Sequence, residues 1–365
     1  MLSNPEPQNK TIILEKRLGS AISPDPPQVS VIIPAYNCSK FIRETLDSVF
    51  SQTFTNFETI FVNDGSSDTE ELEEILVRYF DSLVYIKQEN CGTAAARNTA
   101  IKNARGEFLA FLDADDVWLP EYLASQIEAI TEKNCDMIYA DAFLFGDLVG
   151  KNKRFMEECP SNGKVTPRSL ISGECNVINS GTVARREIIL RAGMFDESLP
   201  RIGMEDFDLW FRLARLGARI EYQKKVLLKY RLHEMSLSGN SLQRAERDVT
   251  ALKLIRTKYE LSADEKETLN NQLKCVSAAL EIERGRYNLV EENFDLAREN
   301  LRSANEHYKK IKYTAFVWLL AVTPKLLLRL FTKARPVKVQ FILDDTSELK
   351  NVSTRSKLDD KPFRN

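Results

Sequence analysis

Several things are scarce in this chain of 365 residues. The cysteines stand at 38, 91, 135, 159, 175 and 275; they are too few for a disulfide scaffold, and no two have the C-x-x-C spacing of a zinc knuckle or redox pair. His233 and His307 are the only histidines, and no G-x-S-x-G is present, which excludes a serine-centred triad. Charge of one sign is missing as well: 51 Lys and Arg against 53 Asp and Glu give a net charge of −2, which excludes a protein-wide nucleic-acid footprint. No uncharged apolar run reaches the ~18 residues of a membrane span. The early run Ile12-Ile13-Leu14 is too short for a signal-peptide core. Neither G-x-G-x-x-G nor G-x-x-x-x-G-K-[ST] occurs, which removes the dinucleotide and P-loop readings. What is present is ordinary for a globular protein, 43% apolar and 28% charged, and the length suggests about two domains. Sparse cysteine predicts a reducing, cytoplasmic compartment.

Residues 1–28 are polar and proline-rich and predict a flexible arm. Beyond them, Val29–Pro34, Thr59–Val62, Leu83–Ile86 and Phe108–Leu112 are short continuous apolar runs, the pattern of fully buried strands. Residues 39–52, 69–80 and 93–104 carry helical patterns between them. Strands alternating with helices in this way predict an α/β fold with a doubly wound, mostly parallel sheet. Ligands meet such a sheet at the carboxyl ends of its strands. The polar clusters fall there: Tyr36-Asn37, Asp64, and Asp113 with Asp115.

Alternate residues of an extended stretch project to one side. Asp113 and Asp115 can therefore address one divalent cation and a ribose or phosphate; a solvated acidic turn reads the same letters. Asp64, in Asn63-Asp64-Gly65-Ser66-Ser67-Asp68, can accept from a base or ribose, while Ser67 or Asp68 caps the next helix. Arg97, on an alanine-rich helix, can reach a phosphate or lie on the surface.

These residues are similar, in order and spacing, to family 2 glycosyltransferases of the GT-A fold. The resemblance runs through Val29 to Asn37, Asn63 to Asp68, Gly92 to Asn98, Leu112 to Asp116, Gly193 to Glu197 and Met204 to Trp210, and ends near Tyr230-Arg231-Leu232-His233. It implies a Rossmann-like catalytic domain over residues 29–238 that moves a sugar, with inversion, from a nucleotide-diphosphate sugar to an acceptor hydroxyl. It further implies that Pro34, Tyr36, Asn37, Asp64, Arg97, Asp113 and Asp115 bind the nucleotide sugar. Tyr36 and Asp64 would contact the base, Arg97 the base and phosphates, and Asp113 the ribose. Asp115 and His233 would hold a divalent metal (Mg or Mn), and Asp206 would be the general base, with Glu205 orienting either it or the acceptor. Asn63 stands where the family often has Asp, and Ala192 where it often has Gly; neither is a contacting position. The chemistry is self-consistent: a carboxylate within ~3 Å takes the proton of the attacking hydroxyl, and a Lewis acid neutralises the leaving diphosphate. Trp210 opens an apolar stripe with Leu209, Leu213 and Leu216 and is expected in the core. Residues 140–180 carry little periodicity and give no acceptor identity.

Beyond residue 240 the pattern changes. Two apolar rows of seven-residue spacing, Leu273 to Tyr308 and Val276 to Ile311, predict a long helix over 269–312 that starts at the capping box Ser262 to Glu265. A shorter helix carrying Leu242, Ala245, Val249 and Leu252 precedes it. Residues 241–312 thus form either a coiled coil, giving a homo-oligomer, or an intrachain hairpin. Residues 313–339 predict an amphipathic basic helix suited to a membrane interface, with Trp318 at headgroup level, or to docking on protein. Residues 340–365 are polar and predict a disordered tail. Between 309 and 340 there are eight basic residues and no acid.

The reading that follows is a metal-dependent glycosyltransferase with a nucleotide-sugar donor, a glycan or lipid-linked acceptor in cell-envelope or polysaccharide synthesis, no nucleic-acid partner, and a peripheral place on the inner face of the membrane. A sugar nucleotidyltransferase would need a basic glycine-rich loop where Pro34-Ala35-Tyr36-Asn37 stands. A coiled-coil scaffold with a degenerate transferase domain would not need Asp115 and Asp206.

Overall fold

The computed structural model describes residues 11–147, 153–233, 236 and 239–334. Nine strands form one sheet: β1 (Ile13–Leu18), β2 (Val29–Ala35), β3 (Phe57–Asp64), β4 (Leu83–Gln88), β5 (Phe108–Phe111), β6 (Val117–Trp118), β7 (Met137–Phe145), β8 (Thr182–Arg185) and β9 (Ile220–Arg231). Their order is β1-β4-β3-β2-β5-β8-β7-β9-β6. The run β4-β3-β2-β5 is parallel and contains the four expected strands. Beyond β5 the sheet becomes mixed, with β8 antiparallel to both β5 and β7 and β9 parallel to β7. The chain leaves β2 for β3 and β4 on one side, then crosses to β5 on the other, so the topological switch point lies beside β2.

The helices are α1 (Ser39–Phe50), α2 (Thr69–Leu76), α3 (Thr93–Asn103), α4 (Tyr122–Glu132), α5 (Phe155–Glu158), α6 (Pro167–Ser172), α7 (Arg186–Arg191), α8 (Glu205–Arg215), α9 (Ser241–Lys258), α10 (Ala263–Val290), α11 (Phe294–Tyr308), α12 (Ile311–Val322) and α13 (Pro324–Ala334). Alternation along the strands sorts them between two faces. Val29, Val31, Ile33, Phe108, Ala110 and Leu112 pack with Ile42, Leu46 and Val49 of α1, Leu72 and Leu76 of α2, and Leu123, Ile127 and Ile130 of α4. On the other face Phe111 meets Trp210 of α8 edge-on at 6.0 Å and Phe195 at 5.6 Å. Trp210 is thus a core residue, as its stripe predicts. Small alanines let α3 bury nearly its whole circumference, Ala95 through Ile101.

Residues 13–18, expected in a flexible arm, instead form β1, pairing antiparallel with β4 from Ile13–Gln88 to Leu18–Val84. Their side chains are largely exposed, so backbone pairing to the open edge of β4 holds the strand, aided by Arg17 over the Phe80 ring at 4.9 Å. Residues 1–10 lie outside the described residues.

The chain divides into two compact units, Met1–Arg231 with Ile255–Leu269, and Leu232–Leu254 with Asn270–Asn365. In the first, the Ser262–Glu265 capping box is present, each residue accepting from the other's backbone N–H. In the second, the helix expected over 269–312 is two helices that fold back on each other. The turn falls after Val290, with Glu292 left-handed at φ 58°. Gly285 permits the approach: a Cβ there would lie 3.0 Å from Leu301 Cγ. Asn300 ties the pair, bonding Asn288 at 2.9 Å and Glu281 at 2.7 Å. The heptad rows therefore close an intrachain hairpin, and Leu242 and Val249 of α9 join Leu280 in the same bundle. The amphipathic segment is likewise broken, at Thr323–Pro324, into α12 and α13. Leu320 and Leu327 pack with Leu289, Ala297 and Leu301. No helix among the described residues is long and apolar enough to cross a membrane. Residues 335–339 and the expected tail 340–365 lie outside the described residues.

Candidate active site

The carboxyl ends of β2, β3 and β5 carry three linked groups of side chains. At β2, Pro34 is buried past the last β2–β5 pair, Ile32–Phe111, where its missing N–H falls beyond the ladder. Tyr36 follows, 55% exposed and so available to a planar ligand. Asn37 turns the chain at φ 50°. Its Oδ1 accepts from the Ser67 N–H at 2.8 Å, and its own N–H donates to Ser66 Oγ at 3.1 Å, so it stitches the β2 loop to the β3 loop.

At β3, Asp64 is buried and fully engaged. Its Oδ1 accepts from Gln88 Nε2 at 2.7 Å and the Cys91 N–H at 2.9 Å, and its Oδ2 from the Gly92 N–H at 2.8 Å. Asp64 thereby fixes the loop that starts α3. Gly92 sits there at φ 88°, a conformation glycine adopts without strain. The Arg201 side chain covers it, with Arg201 Nη1 donating to Asn90 Oδ1 at 3.0 Å.

At β5 the guanidinium of Arg97 joins two motifs. One terminal nitrogen donates to Asp113 Oδ1 at 2.6 Å and the other to Glu205 Oε1 at 2.7 Å. Arg97 is 4% exposed, stacks over Phe195 at 5.2 Å, and keeps an unpartnered Nε. Burial alone would lower its pKa; Asp113, Glu205 and Asp206 together outweigh burial and raise it. Asp113 Oδ1 also accepts from Asn179 Nδ2 at 3.1 Å, and its N–H donates to Ser180 Oγ at 3.1 Å. Glu205 and Asp206 open α8, where the helix dipole favours acids. The sheet and α3 thus bring Arg97, Asp113, Glu205 and Asp206 together from three sequence segments.

Asp115 and Asp116 complete the strand end. Arg231 donates to the Asp115 carbonyl at 2.7 Å through Nε and to Asp116 Oδ1 at 2.8 Å through its backbone N–H, and pairs with Glu44. Burial, then Asp115 and Asp113, push the Asp116 carboxyl well above the usual carboxylate range, and its Oδ2 has no hydrogen-bond partner. Such a crowd of hard oxygen donors fits a divalent cation that takes one or two carboxylates and the rest of its shell from phosphate. Among the described residues no group of three or more His, Cys, Asp and Glu is arranged as a protein-only cage. His233, expected at the metal, is buried and belongs to the second unit.

The family model for glycosyl transferase family 2 matches residues 30–191. A glucosyltransferase of Escherichia coli, UDP-Glc:alpha-D-GlcNAc-diphosphoundecaprenol beta-1,3-glucosyltransferase WfaP, is 33% identical over 232 residues, which cover 63% of this chain and 87% of that one. The chain belongs to glycosyl transferase family 2. A glycosyltransferase of Rickettsia bellii is 34% identical over 215 residues, 57% of this chain. Across three such Rickettsia relatives the chain spans only 30% to 34% of their length. Among solved structures, the Pyrobaculum calidifontis mannosyltransferase PcManGT, in complex with GDP-Man and Mn2+, superposes with a TM-score of 0.57 at 18% identity, covering 93% of this chain and 89% of that one. That likeness shows the GT-A type of fold.

The family motifs do not reveal every residue that holds this site. Asn179 and Ser180 come from the stretch with little periodicity; their only signal is a polar pair beside a glycine. Asp208 is also hidden inside the Glu-Asp motif. It is fully buried and accepts from Arg212 Nε at 2.8 Å, Lys258 Nζ at 2.7 Å and Tyr259 OH at 2.6 Å.

Proposed function

We propose that the chain is an inverting glycosyltransferase that moves a sugar from a nucleotide-diphosphate sugar to a hydroxyl of a lipid-linked or cell-envelope glycan acceptor. The observation that carries this reading is the Arg97 bridge, because it brings the Asp113 strand end and the Glu205-Asp206 helix start into one cluster at the switch point. Asp206 takes the proton of the attacking hydroxyl. Glu205 is held by Arg97 and orients the acceptor side. Tyr36 offers its exposed ring to the base, and Asp113, with one side-chain oxygen committed to Arg97 and Asn179, faces the ribose. Asp64 and Asn37 act by fixing the loops that frame the nucleotide. Arg97 acts through the two carboxylates it joins rather than on a phosphate.

Asp115, with the adjacent carboxylates, would hold Mg or Mn, which when bound neutralises charge on the departing diphosphate. The named acceptor of the E. coli relative, a diphosphoundecaprenol-linked sugar, supports a lipid-linked acceptor and, with it, work at a membrane surface. Nucleotide release from a panel of nucleotide sugars, with Mn or Mg, tests the reading. Release should require one donor and fall sharply in Asp206→Asn and Asp115→Asn. Undiminished release in both variants would show that the chemistry is elsewhere.

A further inference from the structure

The α12–α13 pair presents two opposite faces. Inward, Val317 and Leu320 of α12 and Leu327, Leu328 and Phe331 of α13 close onto Leu289 and Leu301. Outward, Ile311, Trp318 and Val322 recur at helical spacing and are 88%, 63% and 57% exposed. Leu326 and Leu330, one turn apart on α13, are 55% and 58% exposed. Lys325 and Arg329, also one turn apart, lie on the same outward side of α13.

The charge beside this apolar face has one sign. Lys309, Lys310, Lys312, Lys325 and Arg329 accompany it, and no acid occurs from residue 307 to 334. Lys310 and Lys312 lie over the rings of Tyr308 and Tyr313 at 5.7 and 5.1 Å. Neither helix is long enough to span a bilayer. Exposed Trp and Leu flanked by Lys and Arg, on short helices whose own stretch carries no acid, match an anionic lipid interface, where the rings and leucines enter the acyl boundary and the cations meet headgroups.

We propose that the outward face of α12–α13 binds an anionic lipid surface. The proposal deepens the lipid-linked acceptor reading, and its test reads binding rather than turnover, so that each can fail alone. The full chain is sedimented with vesicles of phosphatidylcholine alone and of phosphatidylcholine with phosphatidylglycerol in equal parts. It should bind the second, weakening as salt rises. Lys325→Gln with Arg329→Gln should weaken binding roughly thirtyfold, at about one kcal/mol per cation lost. Trp318→Ser with Leu326→Ser should weaken it about tenfold or more. Both variants should keep the native melting temperature and nucleotide release, since neither touches the docked row or the candidate active site. Equal binding to both vesicle types, or native binding by both variants, overturns the proposal. So does a dimer in solution that Trp318→Ser dissociates in a chain that ignores vesicles, because the face would then pack on a second copy. Loss of vesicle binding with Asp206-dependent release intact would sink this proposal and leave the transferase reading standing.

Discussion

At the carboxyl ends of the parallel strands and along α8, Asp64, Asp113, Glu205 and Asp208 are each held by charged or amide donors, and three of the four are buried. Along α10 to α13 the buried residues are a thin row of leucines and alanines, and much of the remaining apolar surface faces outward. The difference teaches what each region tolerates. In the first, removing one partner strands a charge in low dielectric. In the second, removing one methyl group costs packing, and changing an outward residue costs almost nothing to stability.

The comparison is sharpest where chemistry and stability separate. Asp206→Asn should lower nucleotide release about 10²- to 10⁴-fold, the usual worth of a general base, with little change in melting temperature. Arg97→Met should do the reverse first. It leaves Glu205 buried and unpaired and should destabilise the first unit by about 3–5 kcal/mol in urea titrations. A double variant that also carries Glu205→Gln should recover part of that loss; no recovery would mean that the pair is not the source. Leu320→Ala, in the thin row, should cost about 2–3 kcal/mol in unfolding of the second unit. Lys258→Met should cost about 1.5 kcal/mol near neutral pH, since Asp208 keeps Arg212 and Tyr259. Ile311→Ser should change stability by less than about 0.5 kcal/mol, which differential scanning would register as no shift.

The Lys258 contribution also has a pH signature. Burial would push Asp196 up, but hydrogen bonds from Lys258 and Ser198 outweigh it and hold the carboxyl below its ordinary value. A lowered carboxyl stabilises above its unfolded pKa and loses that effect as pH falls through its folded one. Burial would lower Lys258, but its bonds to Asp196 and Asp208 raise it. A raised amine stabilises below its unfolded pKa and loses the effect as pH rises through its folded one. The gap between native chain and Lys258→Met should therefore be full between about pH 5 and pH 9.5 and narrow on both sides. A gap independent of pH would assign the loss to packing of the lysine stem instead.

The parallel strands were legible in the sequence because burial on both faces makes them continuous apolar runs, and Asp113, Asp115 and Asp206 stood out as candidates because they sit in ordered motifs. Strand β1 was not, since an exposed edge strand held by backbone bonds leaves no apolar alternation to read. Asn179 and Ser180 were not, because a small polar pair carries no periodicity and its partner Asp113 lies 66 positions away. The role of Asp208 depends on Lys258 and Tyr259, 50 and 51 positions further on. The turn after Val290 was hidden because Glu291-Glu292-Asn293 contains neither proline nor glycine, and the seven-residue rows run straight across it.

The Arg97 bridge joins residues 108 positions apart. At about 5–20 residues per second of synthesis, roughly 5–20 seconds pass between the two ends of that bridge. Asp113 is made early, so Arg97 meets one carboxylate of the pair before Phe195 and Glu205, which cover it, have been made. The second arrives only with α8. A ribosome that stalls in the interval carries a sheet whose central helix is short of one countercharge, open to proteases at the same place where the finished chain gathers its carboxylates.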